Sequence, residues 1–137
     1  MNYITAENYM KSPKYVAMPK VILTSSYYSE RLKPIDKLVY TFLNQLARTA
    51  AYNNQVTEKG IAYVKIHLST IAHSLTIGAG AVRSSIDRLI ENDLLTEKKG
   101  KKIAPKEYEK TIYYVKYPLS EEEIEQIEVG EPEEKSI

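Results

Sequence analysis

The residues best suited to a chemical role lie between positions 76 and 88. A run of small residues comes first and polar side chains follow it: Gly78, Ala79, Gly80, Ala81, then Arg83, Ser84, Asp87 and Arg88. Small side chains at the start of a helix let another molecule approach the backbone closely. An arginine one turn further on can present its planar fork to a guanine edge, and a serine can serve a base or a phosphate. The segment therefore predicts a helix end that contacts nucleic acid.

Asp87 does not fit this interpretation by itself, because a carboxylate repels phosphate. Either it pairs with Arg83 four residues earlier or it accepts a hydrogen bond from a cytosine amine. Both options stay open, as does a simpler one in which Arg83 and Arg88 are solvated surface charges.

Two further groups of side chains are suited to holding phosphate. Hydroxyls near the start of the preceding helix and in the turn can donate to phosphate oxygens: Ser69, Thr70 and Thr76. Lysines crowd a later loop: Lys98, Lys99, Lys101, Lys102, Lys106 and Lys110. Such lysines bind phosphates or the adjacent minor groove. The alternative is a hairpin tip that lysine keeps soluble.

The net charge of +1 conceals an uneven distribution along the chain. Residues 120–137 hold eight glutamates and one lysine, a net charge of −7, which leaves 18 basic and 10 acidic side chains and a net charge of +8 for residues 1–119. A basic body is typical of proteins that bind a polyanion. The acidic tail has three interpretations: a linker, a DNA mimic that folds back on the basic face, or a partner-binding helix.

Other kinds of site are poorly supported by the 137-residue sequence. It contains no cysteine, which excludes a disulfide scaffold and a thiol nucleophile, and its two histidines, His67 and His73, lack metal-ligand spacing. The Gly78-x-Gly80 pattern follows a helix rather than a strand, so it is not a dinucleotide fingerprint. We expect no enzyme activity, no cofactor and no metal. Apolar runs are too short for a membrane span, and we expect a cytoplasmic protein.

The elements that must position these residues follow from hydrophobic spacing. Pro34 begins a helix that fades near Ala50, with one apolar stripe: Ile35, Leu38, Val39, Phe42, Leu43 and Leu46. A short strand within 61–66 precedes two helices, 68–75 and 79–92, the second burying Val82, Ile86, Leu89 and Ile90.

Two β-prone arms, 94–99 and 111–117, surround the lysine-rich loop, with Tyr113, Val115 and Tyr117 expected on one face. This order predicts a winged helix-turn-helix, mainly α with a small β-hairpin.

The ends of the chain differ from this central domain of residues 21–119. Residues 1–20 read as an extended arm, and we expect exposed tyrosines to supply a dimer contact: Tyr3, Tyr9, Tyr15, Tyr27 and Tyr28. Residues 120–137 read as an acidic tail. Ser120 and Glu123 predict a capped helix of one or two turns that ends at Gly130 and Pro132, so residues 129–137 read as a linker toward a further region.

Several short motifs in this order resemble the RepA N-terminal-domain family. They are Tyr15–Lys20 (YVAMPK), Tyr27-Tyr28, Asp36–Tyr40 (DKLVY), Gly60–Val64 (GIAYV), Leu68–Leu75, Val82–Leu95 and Ile112–Val115 (IYYV). The resemblance spans roughly residues 13–118. The chain lacks the tryptophan that the family usually carries where this sequence has Ala50–Gln55. Its wing, which is the lysine-rich loop with the two β-prone arms 94–99 and 111–117, is longer.

The resemblance implies an initiator of plasmid replication that binds repeated origin sites in double-stranded DNA as a homodimer and sets copy number. It also implies a linker and a C-terminal domain that engages host replication proteins. Two other hypotheses remain from the sequence: a ligand-responsive winged-helix repressor and a winged-helix protein-interaction module.

Overall fold

The computed structural model describes residue 3, residues 5–7, residue 10 and residues 16–135, with backbone alone for residues 130–135. Helices and strands follow in the order α1 (Lys20–Thr24), α2 (Ser26–Arg31), α3 (Pro34–Tyr52), β1 (Val64–Ile66), α4 (Leu68–Leu75), α5 (Ala79–Glu91), β2 (Leu95–Lys98), β3 (Lys102–Ala104), β4 (Glu107–Tyr108), β5 (Thr111–Val115) and α6 (Glu121–Lys135). In the described part of the chain, no helix is both long and apolar enough to cross a bilayer.

Helix α3 begins where the sequence predicts. Pro34 occupies its first turn, and the backbone N–H of Lys33 donates to the Asp36 carboxylate at 2.8 Å, which satisfies a donor at the helix start. Val39 and Leu43 of the predicted stripe are fully buried, but Leu38 is 54% exposed. The prediction for Leu38 is wrong because this side chain lies outside the face of α3 that packs against α5, β1 and β5.

The helix-turn-helix is confirmed by α4 and α5. Helix α4 ends at Leu75. The capping residue Thr76 has the left-handed φ of 59°, and the Ile77 N–H donates to the Ala72 carbonyl at 3.0 Å. The core of this helix-turn-helix consists of buried apolar side chains from both helices: Ile71, Ala72, Val82, Ile86 and Leu89. Ile90 is 38% exposed, contrary to prediction, because it lies outside this shared face near the end of α5.

The two predicted arms pair as β2 and β5 in an antiparallel sheet of order β1-β5-β2. Tyr113 is central to this sheet, pairing with Val64 on one side and Glu97 on the other, and it is 1% exposed. Tyr117, which a regular strand would place on the same face as Tyr113, is instead 94% exposed. The prediction fails because β5 ends at Val115, so strand alternation does not continue to Tyr117.

The lysine-rich loop is itself a two-stranded ribbon, β3–β4, separate from the main sheet. A Cβ atom on Gly100 would overlap the backbone carbonyl of Glu109, and the Glu109 N–H donates to the Lys101 carbonyl at 2.9 Å. Only glycine lets the segments around Gly100 and Glu109 cross so closely at the base of the ribbon.

Helix α6 starts with the predicted capping box. The Ser120 N–H donates to Glu123 and the Glu123 N–H donates to the Ser120 hydroxyl, each at 3.1 Å. Ile124, only 6% exposed, anchors the helix to the core. The predicted end at Gly130 and Pro132 is wrong, since α6 continues to Lys135. A proline removes one backbone donor, and the helix continues past it.

Candidate nucleic-acid interface

The start of α5 has the small, open surface that the sequence predicts. Gly78, Ala79, Gly80 and Ala81 are all exposed. Gly78 has φ −67° and ψ 147°, which any residue adopts, and a Cβ atom on Gly78 or Gly80 would meet nothing within 4 Å. Neither backbone conformation nor internal packing therefore requires these two glycines. The open space in front of them is available to a partner molecule.

Ser84 and Asp87 continue this surface along α5. Ser84 is exposed, and the Asp87 side chain is 59% exposed. They lie four and seven residues after Gly80, a spacing that places all three on one helix face. A hydroxyl and a carboxylate can accept hydrogen bonds from the exocyclic amines of bases.

Arg83 lies beside this face, but its donors are engaged within the protein. Its Nη1 and Nη2 donate to the two oxygens of Glu97 at 2.8 and 2.9 Å. Its Nε and Nη2 donate to Asp87 Oδ1 at 3.2 and 2.7 Å. Of the five donors of a guanidinium, one remains free, so this conformation cannot form the two bonds of guanine recognition. The structure therefore answers the question about Asp87: it pairs with Arg83.

The two carboxylates determine the electrostatics around Arg83. Hydrogen bonding to Glu97, and then to Asp87, raises the pKa of the Arg83 guanidinium despite the opposing effect of burial. Glu97 has a side chain only 7% exposed. Burial, and next the charge of Glu97, raise the pKa of the Tyr113 hydroxyl. The cluster of Arg83, Asp87 and Glu97 carries a net charge of −1, so the positive field of this surface comes from other residues.

The Arg88 side chain is 26% exposed, and its guanidinium binds a buried carboxylate. Its Nε and Nη2 donate to the two oxygens of Asp36 at 2.7 and 2.8 Å, and Asp36 is fully buried. Burial acts to raise the pKa of Asp36, but hydrogen bonds from Arg88 and from the Lys33 N–H outweigh it and hold that pKa below its usual value. This ion pair joins α5 to α3. We therefore correct the sequence-based prediction and assign Arg88 to the fold rather than to the contact surface.

The hydroxyl groups predicted to hold phosphate lie on accessible surface. Ser69 and Thr70 are exposed in the first turn of α4, and Thr76 is exposed in the turn before α5. The left-handed backbone of Thr76 sets the sharp change of direction between the two helices. Their role toward phosphate stays a prediction.

The wing carries the predicted positive charge. Its lysines are all exposed: Lys98, Lys99, Lys101, Lys102 and Lys106. Within the part of the chain that the structure describes, none of these five forms an ion pair with an acidic side chain. Unpaired ammonium groups attract a polyanion without first losing an internal partner.

Sequence reasoning missed two residues of this surface. Lys65 of β1 is exposed and lies in one cross-strand row with Ile112 of β5 and Lys98 of β2, so both lysines project from the same sheet face. The alternation in β1, where the buried Val64 precedes Lys65, was the sequence pattern that could have indicated the exposure of Lys65. Glu97 was counted only as an acidic offset in the wing, since no local pattern reveals its bond to Arg83.

The predicted dimer tyrosines have different environments. Tyr3 is 68% exposed, whereas Tyr9 and Tyr15 lie outside the described residues. Tyr28 is 1% exposed, and its hydroxyl accepts a hydrogen bond from the Leu119 N–H at 2.8 Å. Tyr27 packs edge-on against Tyr28, with centroids 5.1 Å apart. The prediction for Tyr28 is corrected, because a buried core side chain is not free to contact a second subunit.

Three solved structures are similar to this chain over nearly its whole length. One is described as the N-terminal domain of a DNA-binding protein, with 23% identity, a TM-score of 0.66 and coverage of 96% of this chain and 95% of that one. Another is a Rep–DNA complex, with 24% identity, a TM-score of 0.66 and 95% coverage of both chains. A third is an MDR initiator, with 21% identity, a TM-score of 0.63 and coverage of 95% and 98%.

The chain shares the fold of these DNA-binding and initiator structures. The fold expected from the resemblance to RepA N-terminal domains is thereby confirmed. No protein-family model and no curated protein matches the sequence.

Proposed function

We propose that this chain is the DNA-binding domain of a plasmid replication initiator and binds repeated double-stranded sites at a plasmid origin. One observation carries the proposal. The start of α5 is exposed and contains glycines that internal packing does not require, and the same domain has a wing of unpaired lysines. The similarity to a Rep–DNA complex and to an initiator supports it.

The start of α5 enters the major groove in this proposal. Gly78 and Gly80 let the backbone approach base edges, and Ser84 and Asp87 supply polar contacts one and two turns further along. The hydroxyls of Ser69, Thr70 and Thr76 hold the flanking phosphates. Arg83 acts as a positioning residue, because it joins α5 to β2 through Glu97 and so sets the angle between helix and wing.

The wing supplies most of the sequence-independent attraction. Its lysines lie on phosphates beside the major-groove contact, and Lys65 extends the same surface across the sheet. If about eight lysines and arginines per dimer contact phosphate, the slope of log K against log salt concentration is about −7.

The rest of the proposal concerns the intact protein. The domain itself is non-catalytic, binds no cofactor and acts in the cytoplasm as a homodimer whose two copies match two half-sites. Binding at the origin starts replication and controls copy number. A C-terminal region connected through the acidic segment engages host replication proteins.

Selection from random duplex DNA followed by footprinting on the selected sites tests the proposal. We expect direct repeats of one site, and a binding affinity with the steep salt dependence given above. A single palindrome over a promoter indicates a repressor instead. An absence of duplex binding at low salt indicates a protein-interaction module and overturns the proposal.

A matched pair of variants tests the wing. Lys101→Ala/Lys102→Ala removes two charges from the wing, and Lys20→Ala/Lys33→Ala removes two exposed charges outside it. We expect the first to weaken binding to all duplexes alike and to reduce the salt slope by about 4, because the dimer loses four phosphate contacts, while the second leaves the slope unchanged. Equal effects of the two variants contradict a contact made by the wing.

A further inference from the structure

The β1-β5-β2 sheet carries a groove of about 650 Å³ on its outer face, beside the turn of residues 57–61. Thr96 of β2 and Tyr114 of β5 line the groove from the sheet, where they pair across the two strands and alternate with the buried Tyr113. Ile61, which is 50% exposed, lines it from the turn. Sites for small molecules have volumes of about 300–1,000 Å³, so the groove is large enough for one.

Hydrogen bonds within the turn hold Ile61 beside the sheet. The Thr57 N–H donates to the Ile61 carbonyl at 2.9 Å, and the Ile61 N–H donates to the Thr57 hydroxyl at 3.2 Å. The Gly60 N–H donates to the Thr57 carbonyl at 2.9 Å, and Gly60 has a φ of 81°, which glycine adopts without strain. The groove is therefore formed before any ligand binds, which is usual for small-molecule sites.

The apolar side chains of the groove are not explained by the core. Neither Ile61 nor Tyr114 belongs to the hydrophobic core cluster or to the partly buried residues packed against it. A single exposed apolar residue needs no explanation, but neighbouring apolar side chains that line a concave surface are typical of ligand sites. The fold itself would be served equally well by a polar residue at position 61.

Four lysines surround this apolar surface. Two line the groove and two project from the same sheet face: Lys59 and Lys116, then Lys65 and Lys98. Glu58 of the turn and Asp93, which pairs with Lys116, offset two of these charges, so the six side chains carry a net charge of +2. Among the described residues, Lys59 forms no ion pair. The charge around the groove therefore favours an anion.

We propose that this groove binds a small molecule with a flat apolar ring and one anionic group. The ring packs between Ile61 and Tyr114, since aromatic rings stack offset or edge-on against tyrosine. The anionic group is held by Lys59. The groove lies two residues further along the sheet from the wing ribbon than the row of Lys65 and Lys98, so its ligand leaves the surface assigned to DNA free. The inference does not depend on the proposed DNA binding.

The dye anilinonaphthalene sulfonate has this chemistry and serves as the probe. We expect one saturable site per chain in a fluorescence titration. In isotope-labelled protein, we expect the amide NMR shifts to change in residues 57–61 and at Thr96, and not at the start of α5. Shifts confined to other parts of the chain, or a titration that does not saturate, overturn the inference.

Two variants separate the apolar contact from the charged one. We expect Ile61→Ala to lower affinity for the dye about tenfold, because most of the apolar side chain is lost. We expect Lys59→Gln to lower it about threefold and to leave binding of anilinonaphthalene, the neutral analogue without the sulfonate, unchanged. Wild-type affinity in Ile61→Ala, or equal effects of Lys59→Gln on both dyes, contradicts the site as described.

A control variant removes apolar side chains of similar exposure elsewhere. Leu38 and Ile103 are 54% and 60% exposed, so Leu38→Ala/Ile103→Ala should bind the dye as tightly as wild type. Thermal melts confirm that all variants fold. A loss equal to that of Ile61→Ala shows adsorption to any apolar surface and overturns the inference. Displacement of the dye by a duplex recovered by selection assigns the groove to DNA and also overturns it. Failure of the wild-type protein to bind any duplex overturns the proposed function alone.

Discussion

The Arg83 guanidinium of α5 lies 2.8 Å from the Glu97 carboxylate of β2, so the helix at the candidate interface is joined directly to the base of the wing. The Glu97 side chain is 7% exposed and that of Arg83 is 32% exposed. Arg83 therefore fixes the position of α5 relative to β2. Its removal affects the stability of the fold as well as any binding to DNA.

A double-mutant cycle tests this arrangement. Arg83→Ala leaves the nearly buried Glu97 carboxylate without its partner, and we expect a loss of about 2 kcal/mol in the free energy of unfolding, reduced from the value for a fully buried pair because Arg83 is partly solvated. Arg83→Ala combined with Glu97→Gln should recover part of this loss, measured by urea denaturation. A double variant that loses as much stability as the Arg83→Ala and Glu97→Gln single variants together would contradict a direct ion pair.

The pair of Arg88 and Asp36 gives a pH-dependent prediction. The folded-state pKa of Asp36 is lowered, so its stabilising contribution is present above the unfolded pKa, near 3.8, and is lost as the pH falls through the folded value. We expect the free energy of unfolding to decrease below about pH 4. Asp36→Asn should be less stable at pH 7 and flatter over this acidic window. Parallel pH profiles for the two proteins would reject the assignment.

Gly80→Ala separates stability from binding. A Cβ atom there meets nothing within 4 Å, and alanine is the better helix former, so we expect the free energy of unfolding to rise by about 0.5–1 kcal/mol. The added methyl group occupies the space in front of α5, and we expect weaker binding to the selected duplex. A variant that is more stable and binds as tightly as wild type would move the contact away from this helix start.

Gly100→Ala tests the base of the wing. The new Cβ atom would overlap the Glu109 carbonyl, so the segments around Gly100 and Glu109 must separate where the ribbon begins. We expect faster hydrogen exchange in β3 and β4, a loss of about 1–3 kcal/mol in stability and reduced affinity for DNA. Unchanged exchange of the Glu109 amide would show that the crossing tolerates a side chain.

Much of the fold could be predicted from local signals in the sequence. Pro34 marked the start of α3, the sharp turn at residues 76–78 separated α4 from α5, and Ser120 with Glu123 marked the start of α6. Each signal acts within one or two helical turns, through a fixed φ or a cap on a free backbone donor. The exposure of the glycine-rich helix start followed from the same local pattern.

The amino-acid sequence alone determined the order of the elements and the placement of positive charge in the wing. Tertiary structure decided the partners of the charged side chains: Arg88 bonds to Asp36, 52 residues away, and Arg83 bonds to Glu97, 14 residues away. Periodicity shows which side of a helix is apolar, but it does not show which carboxylate another element brings to that side. An arginine that reads as a DNA contact in the sequence therefore becomes a structural ion pair once packing has excluded water around its partner.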